Sequence, residues 1–310
     1  MGKTAYIFPG QGSQAVGMGK DLADSSPAAR AAFEEADEAL GFALSETCFG
    51  GTEEELALTA NTQPAILTTS VAAFRAMREE GYPDPDYVAG HSLGEYSALV
   101  AAGSITLTDA VKTVRKRGTY MQEAVPVGVG AMAAIIGLGL GEVEAGCEEA
   151  SQGQVCSPAN INSPKQIVIA GDSDAVDRAC EILKEKGAKR AIRLNVSAPF
   201  HCSLMMPAQE RLAKDLNSLD FADLEFPIVE NVTAELNSTG DRVAEALTRQ
   251  VSSPVRWLQS VEKLIGLGVD TFVEAGPGRV LCGLVRQTDR EVECSNVEDS
   301  DSLVNTLKTL

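Results

Sequence analysis

Histidine is nearly absent from this chain of 310 residues, which has only His91 and His201. Chemistry that needs an imidazole at neutral pH therefore has two candidates. Basic residues are also scarce: 26 Lys and Arg stand against 44 Asp and Glu, a net charge of −18. The overall field of such a chain argues against nucleic acid and anionic membrane surfaces as partners, although a local basic patch can still bind an anion. The seven cysteines form no C-x-x-C pair and no Cys/His cluster. That pattern argues against structural zinc and leads us to expect reduced, mostly buried thiols in a reducing compartment. No apolar run is long enough to span a bilayer, since "VGVGAMAAIIGLGL" is short and glycine-rich. The N-terminus "MGKTAYIFPGQG" has no signal-peptide stretch, and Tyr6 breaks the myristoylation pattern. The expectation is a cytoplasmic protein that does not engage membranes.

What is present is enough for a sizeable core: 44% of residues are hydrophobic and an ordinary 23% are charged. "TAYIFPGQGSQ" reads as a strand entering a glycine-rich loop. "SPAARAAFEEADEALG" has Ser26 as N-cap, Pro27 at the first helical position and Gly41 as a stop. Further helices are expected in "TQPAILTTSVAAFRAMREEG", in "GEYSALVAAG" after the strand "YVAG", and in "TLTDAVKTVRKRGTYMQEAV", the last starting at Thr108 or Asp109. Alternating strands and helices imply a largely parallel α/β sheet with both faces covered. The middle differs. From "GAMAAIIGL" to "AKRAIRLNVS" the order is β-α-β-β-α-β, with a turn at Asn162-Ser163-Pro164, which over about 70 residues is the ferredoxin-like pattern. We therefore expect an inserted domain at 129–198 and a larger one from 1–128 with 199–310. "VDTFVEAGPGRVLCGLVR" is again strand, glycine turn, helix.

The stretch "YVAGHSLGEYSALVAAG" carries G-x-S-x-G between a strand and a helix, the pattern of a nucleophile elbow. It would present Ser92 at a helix N-terminus, where N–H groups and the dipole favour developing negative charge. A serine needs a base. His91 adjoins Ser92 on a sharp turn and points away from it, so it is read as a packing residue with a local hydrogen bond. His201, in "VSAPFHCSLM" just past a strand, is the one credible base. No acid can be assigned from spacing, because Asp172, Asp174 and Asp177 open a helix, where capping explains them.

Nine segments appear in an order that closely resembles the malonyl-CoA:acyl-carrier-protein transacylases: "FPGQGSQ", "TQPAILTTS", "GHSLGEYSAL", "RGTYMQEA", "GAMAAIIGL", "NINSPKQIVIAG", "SAPFHCSLM", "PVRW" and "EAGPGRVL". The resemblance covers essentially the whole chain and is nearest to the stand-alone bacterial enzymes of type II fatty-acid synthesis. It implies a hydrolase-like α/β core with a parallel sheet flanked by helices and a ferredoxin-like insertion. It implies Ser92 as the acylated nucleophile, His201 as its base, and the backbone carbonyl of Gln250, in place of an aspartate, as the group that orients the imidazole. The oxyanion hole would be the N–H groups of Gln11 and Leu93. Arg117, before "GTYMQ", would pair with the malonyl carboxylate, with Met121 and Phe200 also in the substrate site, while Arg115 and Lys116 are read as solvated. Leu93 and Phe200 match malonyl-preferring patterns that leave little room for an α-methyl group.

The activity implied is ping-pong transfer of malonyl from malonyl-CoA to the phosphopantetheine thiol of acyl carrier protein, with no metal or tightly bound cofactor. A monomer is expected. Carrier proteins of this kind are acidic, so docking needs local positive charge, and "LKEKGAKRAIR" offers Lys184, Lys186, Lys189, Arg190 and Arg193. Two other readings stay open: a serine thioesterase or esterase that passes the acyl group to water, and a silent scaffold subunit, which would need none of Ser92, His201 and Arg117.

Overall fold

The computed structural model describes residues 2–196 and 198–310. Its larger sheet contains β1 (Lys3–Phe8), β2 (Tyr87–Gly90), β7 (Ile228–Val229), β8 (Leu236–Asn237), β9 (Val269–Ala275) and β10 (Glu293–Val297) in the order β10-β9-β1-β2-β7-β8. All neighbours are parallel except the β7–β8 edge pair. The central strands bury both faces. Tyr6 and Phe8 of β1 enter the principal core with Val88 and Val273, whereas Ala5 and Ile7 enter a second core with Ala89, Phe272 and Trp257. This period-two division is what a parallel sheet sandwiched by helices requires.

The smaller sheet is built from β3 (Gly130–Ile136), β4 (Cys156–Ser163), β5 (Gln166–Asp172) and β6 (Arg190–Arg193), ordered β4-β5-β3-β6 with every pair antiparallel. Helices Leu140–Ser151 and Ser173–Glu185 cover one face and share a core with Ala131, Ala133 and Ile135. The opposite face sends Met132, Val168 and Ala170 into the principal core. Backbone bonds from Ile161 to Val255 (2.9 Å) and from Val255 to Ala159 (2.8 Å) stitch β4 to the larger half.

Several local expectations hold. Ser26 caps the Pro27–Leu40 helix by accepting from the Ala29 N–H, and Gly41 ends it in the left-handed region. Others need correction. The Leu107–Ala124 helix is capped by Thr106, whose hydroxyl accepts from the Asp109 N–H, so it begins before the expected Thr108 or Asp109. The turn between β4 and β5 lies at Pro164-Lys165, so Asn162 and Ser163, expected in the turn, belong to β4. β10 and the terminal Ser300–Leu307 helix were not anticipated. Cys282 and Cys294 are joined in a disulfide across 12 residues, against the expectation of free thiols; Cys48, Cys147, Cys156, Cys180 and Cys202 remain unpaired. No helix among the described residues is long and apolar enough to cross a membrane.

Candidate active site

β2 ends at Gly90, the Gly94–Ala101 helix begins four residues later, and Ser92 sits between them at φ 51°, a left-handed conformation that side chains rarely adopt. Both flanking glycines are enforced by contact. A Cβ on Gly90 would lie 2.0 Å from the Gly94 carbonyl, and one on Gly94 would lie 2.0 Å from the Phe8 oxygen. The turn is clamped from across the sheet by Asn231, whose Oδ1 accepts from the Ser92 N–H at 2.7 Å while its Nδ2 donates to the Gly90 oxygen at 2.7 Å.

His201 is also left-handed, at φ 61°, and its Nε2 lies 2.7 Å from Ser92 Oγ. Its Nδ1 faces two backbone carbonyls, Gln250 at 2.9 Å and Ser253 at 3.2 Å. Carbonyls only accept, so the proton belongs on Nδ1 and the Nε2 lone pair faces the serine hydroxyl. Burial, with the Arg117 cation adding to it, pushes the imidazole down to about 3. The ring is therefore neutral in the free protein, with its basicity depressed and its Nε2 lone pair directed at the serine hydroxyl. Two of the acids that spacing left open are engaged elsewhere: Asp172 accepts from the Val155 N–H at 2.7 Å rather than capping its helix, and Asp177 pairs with Arg193; Asp174 lies in the first turn of that helix. His91 does turn away from Ser92, but its partner is distant in sequence. Its Nε2 meets Asn162 Oδ1 at 2.8 Å and its ring packs on Trp257.

Arg117 is 1% exposed. Its Nη1 donates to Gln63 Oε1 at 2.8 Å, and its Nη2 donates to Ser92 Oγ at 3.1 Å and Gln250 Oε1 at 2.8 Å. Its Nε has no partner, and no carboxylate pairs with it among the described residues. The Tyr96 ring lies 5.6 Å from the guanidinium carbon. A buried cation without a counter-ion is costly, and that cost is relieved by a ligand that brings a carboxylate. Arg115 is not the solvated residue expected; it is half-buried and donates to the Ala60 carbonyl at 2.9 Å, whereas Lys116 is exposed and pairs with Asp215.

Ser92, His201, Arg117 and His91 line one cavity of about 110 Å³, together with Gln11, Met121 and Phe200, and with Gln63, Met132, Asn160, Leu194 and Val196. The N–H groups of Gln11 and Leu93 have no acceptor among the described residues. No cluster of His, Cys, Asp or Glu among the described residues is arranged to hold a metal ion.

A serine in a strained elbow, bonded to an oriented neutral imidazole, is the apparatus of acyl transfer. Residues 5–308 match the family model described as the acyl transferase domain. The chain belongs to that family. Among its relatives, the malonyl CoA-acyl carrier protein transacylase of Bacillus subtilis (strain 168) is 49% identical, over 100% of this chain and 98% of that protein. The protein of the same name from Escherichia coli (strain K12) is 48% identical over 99% and 100%. Among solved structures, the malonyl CoA-acyl carrier protein transacylase from Coxiella burnetii superposes with a TM-score of 0.98 at 44% identity, covering 100% of this chain and 98% of that one. A type II polyketide-synthase acyl-carrier protein complex with its malonyl-transacylase matches with a TM-score of 0.97 at 46% identity, over 99% and 100%.

Basic residues cluster at two places of interest on the described surface. Of the basic stretch read from the sequence, Lys186 pairs with Glu149 and Arg193 with Asp177, while Lys184, Lys189 and Arg190 have no ion pair among the described residues. Sequence reading missed the other place. Lys165 on the β4–β5 turn, with Arg286 and Arg290, lines an open depression of about 600 Å³ beside Ser163.

Proposed function

We propose that this protein transfers the malonyl group from malonyl-CoA to the phosphopantetheine thiol of an acyl carrier protein, through a malonyl ester on Ser92. The observation that carries this reading is Arg117, a buried guanidinium lacking a counter-ion and 3.1 Å from the nucleophilic oxygen. A carboxylate one carbon beyond the thioester carbonyl is the group that fits it, and a planar fork can take both its oxygens. The names of the relatives support the same substrate and acceptor.

In the first half-reaction Ser92 Oγ gives its proton to His201 Nε2 and attacks the thioester carbonyl. The tetrahedral oxyanion lies against the N–H groups of Gln11 and Leu93, and its collapse breaks the C–S bond, with His201 returning the proton to the departing CoA sulfur. In the second half, the carrier thiol yields its proton to His201 and attacks the ester, and Ser92 leaves with that proton. The Gln250 and Ser253 carbonyls hold the imidazole in one tautomer throughout. The substrate carboxylate has a second effect. By neutralising Arg117 it removes one cause of the depressed His201 basicity, so a carboxylated acyl group also eases the base into its charged form. Phe200, which lines the cavity, would crowd an α-methyl branch, whereas the buried Leu93 side chain does not line it. Every proton and charge in this cycle is carried by side chains, backbone or substrate, so it calls for no metal and no cofactor beyond the pantetheine of its substrates.

All the groups come from one chain, so a monomer suffices. We assign residues 129–198 to an inserted domain that roofs the cavity, 1–128 with 199–310 to the catalytic domain, and the working location to the cytoplasm. Initial rates measured against malonyl-CoA at several fixed carrier concentrations test the cycle. Parallel double-reciprocal lines are expected; intersecting lines would require a ternary complex and defeat the ester intermediate.

A further inference from the structure

Glu95 follows Ser92 by three residues and has no part in the cycle above. Its side chain is 2% exposed, and no cation pairs with it among the described residues. It accepts from Gln250 Nε2 at 2.5 Å and from the Asn231 N–H at 3.2 Å. The first of these donors links it to the substrate-binding cation. Gln250 Nε2 also donates to the Ser92 carbonyl at 2.9 Å, and its Oε1 accepts from Arg117 Nη2 at 2.8 Å. A side-chain amide can be inserted either way round, and a flipped Gln250 would set its NH₂ against the guanidinium, donor against donor. Two acceptors on the far side, Glu95 and the Ser92 carbonyl, hold the NH₂ away from Arg117. The same spacing keeps the Glu95 carboxyl one amide removed from the cation, so it does not occupy the donors a substrate carboxylate needs.

We propose that Glu95 is a positioning residue that fixes the Gln250 amide with its oxygen toward Arg117 and thereby sets the guanidinium to select carboxylated acyl groups. Burial raises the Glu95 carboxyl to about 8, with the nearby Arg117 cation acting against the rise. The inference rests on the malonyl reading of the site.

The test compares the rates at which Ser92 is acylated by malonyl-CoA and by acetyl-CoA, followed by intact mass. Glu95→Leu removes the acceptor and is expected to lower the malonyl-to-acetyl ratio about tenfold, chiefly through KM for malonyl-CoA. Glu95→Gln keeps an oxygen for Gln250 and is expected to restore most of the ratio. In an Arg117→Ala background, Glu95→Leu should shift the ratio no further. Should Glu95→Leu fail to fold, Gln250→Met cuts the same connection from the other end and should reproduce the loss. Equal losses with both substrates, or a ratio shift that persists without Arg117, would overturn the proposal. A wild-type protein that takes acetyl as readily as malonyl would instead defeat the malonyl reading, whereas a discriminating wild type unmoved by these variants defeats this inference alone.

Discussion

Replacing Arg117 with alanine separates substrate recognition from nucleophile activation, because the guanidinium touches both. In the free protein its Nη2 donates to Ser92 Oγ at 3.1 Å, a bond that assists attack on any acyl group. In the malonylated protein the same guanidinium would face the carboxylate inside a cavity of about 110 Å³. Removing one partner of a buried charge pair costs about 3–5 kcal/mol, since the other is left unpaired. At about 1.4 kcal/mol per decade this is roughly a 10²- to 10⁴-fold loss of kcat/KM for malonyl-CoA. Acetyl-CoA brings no carboxylate, so it loses only the shared assistance to Ser92 and gains from removal of an uncompensated buried cation. Initial rates with both thioesters and one carrier protein should therefore show the preference shrinking or reversing. An equal fall with both substrates would refute the reasoning and leave Arg117 with the nucleophile alone.

Gly90→Ala should destabilise the fold by about 3 kcal/mol or more in urea titration, because its Cβ would collide with backbone rather than with a movable side chain; wild-type stability would contradict the close approach. The His201 pKa, held near 3 in the folded protein, makes the acylation rate flat across the ordinary histidine range. The unfolded chain takes up that proton below about pH 6.5, so stability falls as pH drops from there toward about 3, by up to about 1.4 kcal/mol per unit relative to His201→Asn. A rate inflection near pH 6.5 would show a solvated imidazole instead. Reversing Lys189 and Arg190 to Glu should raise KM for carrier protein at low salt, with the effect fading as salt is added. If Arg286→Glu with Arg290→Glu does so and the first pair does not, docking lies on the depression beside Ser163.

What could be read from the sequence was what is local. The elbow needs only Gly90, Ser92 and Gly94 between a strand and a helix, and the contacts that force those glycines lie within a few residues or on the adjacent strand. His201 could be named because the chain offers only one other histidine, and that one adjoins Ser92. The Asn231 clamp is 139 residues from Ser92 and the Gln250 side chain is 158 away, so no periodicity or spacing could join them. Gln63 and Glu95 stood inside recognised segments, but a buried polar side chain looks like a surface one until its partner is known. β10 escaped because "ECSNV" mixes exposed and buried positions with a charged start, and the Cys282–Cys294 bond because pairing depends on a 5.4 Å Cα separation between a helix and a strand.

In the proposed cycle Ser92 carries the acyl group between the two thiols. Brief mixing with malonyl-CoA, followed by intact mass and peptide mapping, tests it most directly when paired with Ser92→Ala and a chase of phosphopantetheinylated carrier protein. One malonyl adduct is expected on the Ser92 peptide, absent from the variant, that leaves as the carrier gains the same mass. An adduct on another residue, or one that decays to free malonate while the carrier stays unmodified, would contradict it.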